Sequence, residues 1–283
     1  MAKFHDFNIS FTKDKKQLQK LIANAANAGY EIVAVNHVVA DKRSLQNAPA
    51  PVELEDADIA NLKAQGKRLQ QLSRITLVLK DINTFPRMSN NTMIQSYDLL
   101  AVQPTTEKLF LLACTQLEVD IISIDFSQRL TFFMKYHPVR AALDRGIHFE
   151  INYAPAIRDT YTRRNIISNA HALATVSKGK NIIISSQADR IMELRSPYDV
   201  ANLGLLFGLS ENQSKDAVSR NCRALIMHSV SRRSVRSTLS VRRIEELEPK
   251  ESWKVMANNP EEIVKLSKAS DEETERPKKK RKR

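Results

Sequence analysis

The chain has 283 residues, 42% hydrophobic and 27% charged, with a formal net charge of +12. That is enough apolar material for one large core plus a segment that need not fold. No stretch approaches the roughly 18 uncharged apolar residues of a transmembrane helix, so none is expected and no membrane contact is foreseen. Around Lys3, His5 and Asp6 the first residues lack the apolar run of a secretory signal. Cys114 and Cys222 stand alone in separate segments. They suggest neither a disulfide framework nor a metal-ligand pair, so a soluble protein of a reducing, intracellular compartment is expected.

From the amino terminus, short β-branched runs alternate with helical patterns. Strands are predicted at Phe4–Ile9, Ile32–Asn36, Ile75–Leu79, Leu99–Val102, Ile121–Ile124, His148–Asn152 and Ile182–Ser185. Most are continuous apolar runs, as expected for strands covered on both faces. Helices are predicted at Lys15–Ala28, Ile59–Leu72, Glu107–Leu117 and Asn165–Val176. In the first, Leu18, Leu21, Ile22 and Ala25 share one face and Gly29 is the C-cap.

Strands spaced by helices imply parallel crossovers. Seven such units fit a closed α/β barrel resembling the TIM type, with an open doubly wound sheet as the alternative. No glycine-rich turn follows the first strand, so a dinucleotide site has no support.

Two helices follow the last strand. Ser196, Pro197 and Asp199 read as N-cap, first helical position and first-turn acid. The helix body, Val200 to Leu209, is apolar on most sides, and Leu203, Leu206 and Phe207 are candidates for meeting a partner protein. Ser210 and Gln213 form a capping box for a helix expected to run to about Val230. Periodicity fades from residue 231, which gives two expected regions: a barrel with its added helices over 1–230 and a disordered basic tail over 231–283. The tail ends in a compact basic run, Lys278, Lys279, Lys280, Arg281, Lys282 and Arg283, that reads as a nuclear localisation signal.

The charge excess is uneven. Residues 1–214 hold 25 basic and 21 acidic side chains, whereas residues 215–243 hold 8 basic and 1 acidic. Arginine dominates the second stretch, which suits bidentate phosphate contacts and a polyanionic partner. Candidate RNA-binding residues there are Arg220, Arg223, Arg232 and Arg233. Earlier candidates are Arg158, Arg163 and Arg164 after the sixth strand, Lys178 and Lys180 before the seventh, and Arg190 and Arg195 after it. The lysines should lie at the opposite barrel end from the others. Low aromatic content, 6%, favours recognition of folded RNA by backbone and shape over stacking on single strands.

Barrels of this type keep their chemistry at the carboxyl ends of the strands. Those positions read Asn8 and Ser10, Asn36 and His37, Lys80 and Asp81, Gln103, Asp125, Asn152 and Tyr153, and Ser185 and Ser186. Amides and hydroxyls are weak ligands for transition metals, and only His37, Asp81 and Asp125 would serve a metal hydrolase. Cys114 sits in an apolar helical run, and no Gly-x-Ser-x-Gly elbow surrounds Ser185 and Ser186. No catalytic residue, metal or cofactor is therefore expected.

The stretch Lys178-Gly-Lys-Asn-Ile-Ile-Ile-Ser-Ser186, followed by Arg195-Ser-Pro-Tyr-Asp-Val-Ala-Asn-Leu-Gly-Leu-Leu-Phe-Gly-Leu-Ser-Glu211, closely resembles the thirty-kilodalton protein-subunit family of nuclear ribonuclease P. Thr106-Glu-Lys-Leu-Phe110, Asp144-Arg-Gly146 and Tyr153-Ala-Pro-Ala-Ile157 add to the likeness, which covers roughly residues 1–230. The resemblance implies a distorted TIM-like barrel related to polymerase-and-histidinol-phosphatase domains. It implies a nuclear and nucleolar particle in which the RNA subunit performs hydrolysis at the 5′ end of precursor tRNA. It also implies a small ferredoxin-like partner, further particle proteins, and a place in the related mitochondrial-RNA-processing (MRP) particle that acts on ribosomal RNA. The parent hydrolases' histidine pair is missing from the first strand, where His5 and Asp6 stand instead. A stand-alone metal-dependent phosphoesterase of that type is the alternative.

Overall fold

Seven strands, most of them continuous apolar runs, pair side by side in chain order into one parallel sheet. They are β1 (His5–Ser10), β2 (Ile32–Val39), β3 (Gln70–Leu79), β4 (Leu99–Pro104), β5 (Ile121–Ser123), β6 (His148–Asn152) and β7 (Ile182–Ser185). The structure is a computed structural model and describes residues 3–40, 69–80, 94 and 96–234. The sheet curls until its edges almost meet. Ile9 bridges Ala188 in parallel, and the Ser10 N–H donates to the Ala188 carbonyl at 3.1 Å. The pairing of β1 with β2 shifts register between Asp6 and Ile9, an irregularity that bends the strand toward this seam. A nearly closed TIM-like barrel, not an open sheet, is the outcome.

Among the described residues the α-helices are α1 (Lys15–Ala28), α2 (Glu107–Thr115), α3 (Tyr136–Asp144), α4 (Ala154–Arg158), α5 (Thr160–Ser177), α6 (Pro197–Leu206), α7 (Glu211–Ala217) and α8 (Arg220–Ser234). α1 matches its expected bounds because its stops are chemical. Asp14 accepts from the Lys16 N–H, and Gly29 takes a φ of 107° at the C-cap.

Three expectations need correcting. β3 begins at Gln70, so residues 70–72 are strand and not the end of a helix over Ile59–Leu72, whose residues 59–68 lie outside the described residues. Parallel pairing of Ile32 with Gln70, and Asp98 accepting from the Ser73 N–H and hydroxyl at 2.8 Å, override the local periodicity. The single helix expected from 211 to about 230 is two, α7 and α8, with Val218 as the C-cap between them. Local pattern does not predict α3 and α4; Pro138 and Pro155 lie in their first turns, where proline costs no hydrogen bond.

The caps of α6 and α7 follow the sequence. Ser196 accepts from the Asp199 N–H, and Ser210 with Gln213 forms the capping box. Gly204 permits the close approach of these two helices: a Cβ there would lie 2.6 Å from the Ser214 Oγ. The expected partner face divides. Phe207 is buried in the core at 2% exposure, Leu203 is half-buried, and Leu206 is 58% exposed. Of the tail expected over 231–283, residues 231–234 extend α8; the rest, including Lys278 to Arg283, lies outside the described residues.

Candidate nucleic-acid interface

The barrel axis is polar where the flanking sequence is not. Arg74 of β3 and Glu150 of β6 are fully buried and face each other across the interior. Arg74 Nη2 donates to Glu150 Oε2 at 2.7 Å, and Nη1 donates to Oε1 and to the Phe7 carbonyl. Its Nε reaches Thr76 Oγ1 at 3.2 Å. From there Thr76 donates to Asn36, Asn36 to Asn8, and Asn8 to Asn152, at 2.7, 2.7 and 2.9 Å. Burial alone would raise the Glu150 pKa, but the Arg74 charge and hydrogen bonds hold it below the usual carboxylate range. The network ties β3, β2, β1 and β6 together with each charge compensated.

Above it, the strand ends form a shallow mouth. Gln103, Ser123, Asp125, Asn152 and Gln187 line a pocket of about 250 Å³ there. His37 lies away from them, its ring 4.0 Å from that of Phe11, and burial lowers its pKa. Asp81 lies outside the described residues. Among the described residues no group of three or more histidines, cysteines or carboxylates is placed to hold a metal. Asp6 closes the seam instead, accepting from the Ser186 N–H at 3.0 Å, and burial raises its pKa.

The basic candidates separate onto opposite ends of the barrel. At the carboxyl end, Arg158 gives Nε and Nη2 to Glu193 at 2.7 Å each and pairs with Asp189 at 2.9 Å. Arg163 donates to the Ala156 carbonyl, and Arg195 to those of Met192 and Leu194. Arg164 and Arg190 are exposed and make no ion pair among the described residues. At the amino end, Lys178 and Lys180 are exposed, and the Lys178 ammonium lies 5.9 Å from the centre of the Tyr136 ring. Arg220 and Arg223 are also exposed there on α8. Arg232 is not free: it clasps the buried Asp120 carboxylate with Nε at 3.0 Å and Nη2 at 2.8 Å, while His228 Nδ1 meets the same group at 2.9 Å. Arg233 pairs with Asp98 at 2.8 Å.

A family model described as RNase P subunit p30 matches residues 3–234, the whole barrel and α8. The chain belongs to this family. It is 43% identical over 243 residues to the mouse "Ribonuclease P protein subunit p30", covering 85% of this chain and 91% of that one. It is 28% identical over 204 residues to the Saccharomyces cerevisiae "Ribonuclease P/MRP protein subunit RPP1", covering 71% and 68% of the two chains. Among solved structures, a chain of an archaeal ribonuclease P bound to mature tRNA superposes with a TM-score of 0.57 at 15% identity, covering 86% of this chain and 99% of that one. That last likeness shows the shared barrel fold.

The p30-family barrel hides its most connected polar residues from a reading of local pattern. Arg74 and Glu150 each appear as one charge beside an apolar run, and Asp120 as an acid before a strand. For Arg74 and Glu150 the only signal is opposite charge inside strands that both faces bury, and that signal needs the pairing to be read. Arg158, Arg232 and Arg233 were singled out for RNA by charge; the structure turns them toward carboxylates of the same chain.

Proposed function

We propose that this chain is a protein subunit of nuclear ribonuclease P that helps hold the catalytic RNA during removal of the 5′ leader from precursor tRNA. The observation that carries the reading is the likeness to the mouse subunit, which runs nearly the full length of both chains. The name of the budding-yeast relative supports a second place, in the related MRP particle and hence in ribosomal RNA processing. Its partners are then the RNAs of both particles, precursor tRNA through the assembled complex, and neighbouring protein subunits including a small ferredoxin-like one.

Arg164, Arg190, Arg220 and Arg223 are exposed cations available to RNA phosphates, and the basic run at 278–283 supports nuclear import with nucleolar residence. Leu206 supports a protein-facing role for the outer side of α6. A stand-alone phosphoesterase would need a cation cradled by carboxylates and histidines. The buried Arg74 guanidinium on the barrel axis repels such a cation, and Glu150 is already committed to it.

Tagged protein recovered from nuclear extract tests the proposal. One or two dominant structured RNAs, with cleavage of precursor tRNA at its 5′ end, are expected in the eluate. A diffuse RNA population without that cleavage overturns it. Tightly bound zinc or manganese with phosphoesterase activity in the purified chain would point to the hydrolase instead.

A further inference from the structure

The pocket at the carboxyl mouth of the barrel is unused by a scaffold that grips RNA through phosphates. Consecutive strands supply it: Gln103 is the last residue but one of β4, Ser123 ends β5, Asn152 ends β6 and Gln187 follows β7. Phe126 and Ile166 give it apolar walls. Its volume of about 250 Å³ admits one small ring system, below the roughly 300–1,000 Å³ of pockets for drug-sized ligands.

The lining selects against ions. Arg158 is its cation, and that charge is already answered by Glu193 and Asp189, so little remains for a phosphate. Asp125 is its carboxylate, too few for a divalent cation. What remains is amide chemistry. The Gln103 and Gln187 side chains are half-buried at the pocket and make no hydrogen bond to other described residues. Gln187 also holds a φ of 55°, a left-handed conformation that disfavours a residue other than glycine and is retained where the surroundings impose it. Arg158 imposes it from one side by donating to the Gln187 carbonyl at 3.1 Å, and the anchored Ser186 from the other. Carboxamides offer a donor and an acceptor side by side, the pattern that reads the edge of a base, and apolar walls suit its faces.

We propose that this pocket receives a single nucleobase, carried either by an unpaired nucleotide of RNA or by a free nucleoside. The choice of a base over other neutral planar ligands rests on the ribonucleoprotein role proposed above.

Full-length protein titrated with the four nucleosides, ribose and inorganic phosphate, and followed by NMR, tests it. Saturable binding of at least one nucleoside is expected, with no competition from ribose or phosphate. Gln103→Ala should weaken that binding about tenfold, the worth of one hydrogen bond to a neutral group, while the protein stays folded. No nucleoside binding, equal binding of ribose, or an unchanged affinity in Gln103→Ala overturns the proposal. Chemical probing of base edges in the assembled particle then separates the sources. One nucleotide newly reactive in Gln103→Ala marks an RNA base; nucleoside binding with unchanged reactivity marks a free nucleoside. Failure of the ribonucleoprotein role would register separately, as absence of a specific RNA from the wild-type protein.

Discussion

The two ends of the barrel differ in what their polar side chains do. At the carboxyl end, neutral amides and hydroxyls surround an open pocket, and the rim arginine Arg158 is tied to Glu193 and Asp189. At the amino end, α8 is latched to the strand starts by Arg232 and His228 on Asp120 and by Arg233 on Asp98. His5 and His148 lie buried at this end, each with an Nδ1 that finds no hydrogen-bond partner among the described residues. One end keeps its polar groups available; the other consumes them in holding the fold. Arginine count therefore says little about RNA contact, and the burial of the facing carboxylate says much. A guanidinium on a fully buried acid is structural, whereas one on open surface is free to meet phosphate.

The largest expected effect lies between the two ends, at the axis. Glu150→Leu would leave the Arg74 charge buried without a partner and should cost about 3–5 kcal/mol in urea unfolding. The double replacement Arg74→Met with Glu150→Leu should cost less than Glu150→Leu alone, because both charges leave together. Additive costs would show that the pair is not the unit of stability. Phe207→Ala should cost a similar 3–5 kcal/mol, since the ring is core. Leu206→Ala, one residue away on the exposed side, should change stability by less than about 0.5 kcal/mol and lower recovery of partner proteins.

The amino end should also carry an acid sensitivity set by its two buried histidines. Burial lowers the pKa of His5 to about 4, and burial with the nearby His228 lowers that of His148 to about 4, from 6.5 in each case. Between pH 6.5 and 4 the unfolded chain therefore takes up protons that the folded chain refuses. Stability is unaffected above that window and falls as pH drops through it, by up to about 3 kcal/mol per histidine. Unfolding curves collected from pH 7 to pH 4 should show this slope, and His148→Gln should flatten it. An unchanged slope in that variant would mean that other groups bind the protons.

Much of the framework was legible because local chemistry fixes it. The continuous apolar runs became strands within a few residues of their expected bounds; Gly29 ends α1 through its left-handed backbone, and the Ser196 and Ser210 hydroxyls start α6 and α7. The start of β3 is not legible because Gln70 to Leu72 are strand by pairing with β2, which no local pattern announces. The site was less legible for the same reason. Arg74 lies 76 residues from Glu150 and Arg232 lies 112 from Asp120, so the contacts that decide each arginine's role are invisible until the barrel closes. His228 and Arg232, four apart on α8, were the available hint: two basic groups on one helical face ask for a shared acid.

The smallest effects would test most directly which arginines meet RNA. Each exposed cation that neutralises a phosphate adds about 0.7–0.9 to the slope of log affinity against log salt. Arg164→Gln and Arg190→Gln at the carboxyl end, and Arg220→Gln and Arg223→Gln at the amino end, should each lower that slope by this amount if their end faces RNA. Stability should hold within about 0.5 kcal/mol, since none makes an ion pair among the described residues. Arg232→Gln should do the reverse, costing stability because Asp120 loses its bidentate partner, and leaving the slope unchanged in protein that remains folded. Filter-binding titrations of particle RNA across a salt series would read all five. Slope changes confined to one pair would assign RNA to that end of the barrel. Equal changes at both would mean that the RNA wraps from one end to the other, as a rigid barrel with exposed cations at each end allows.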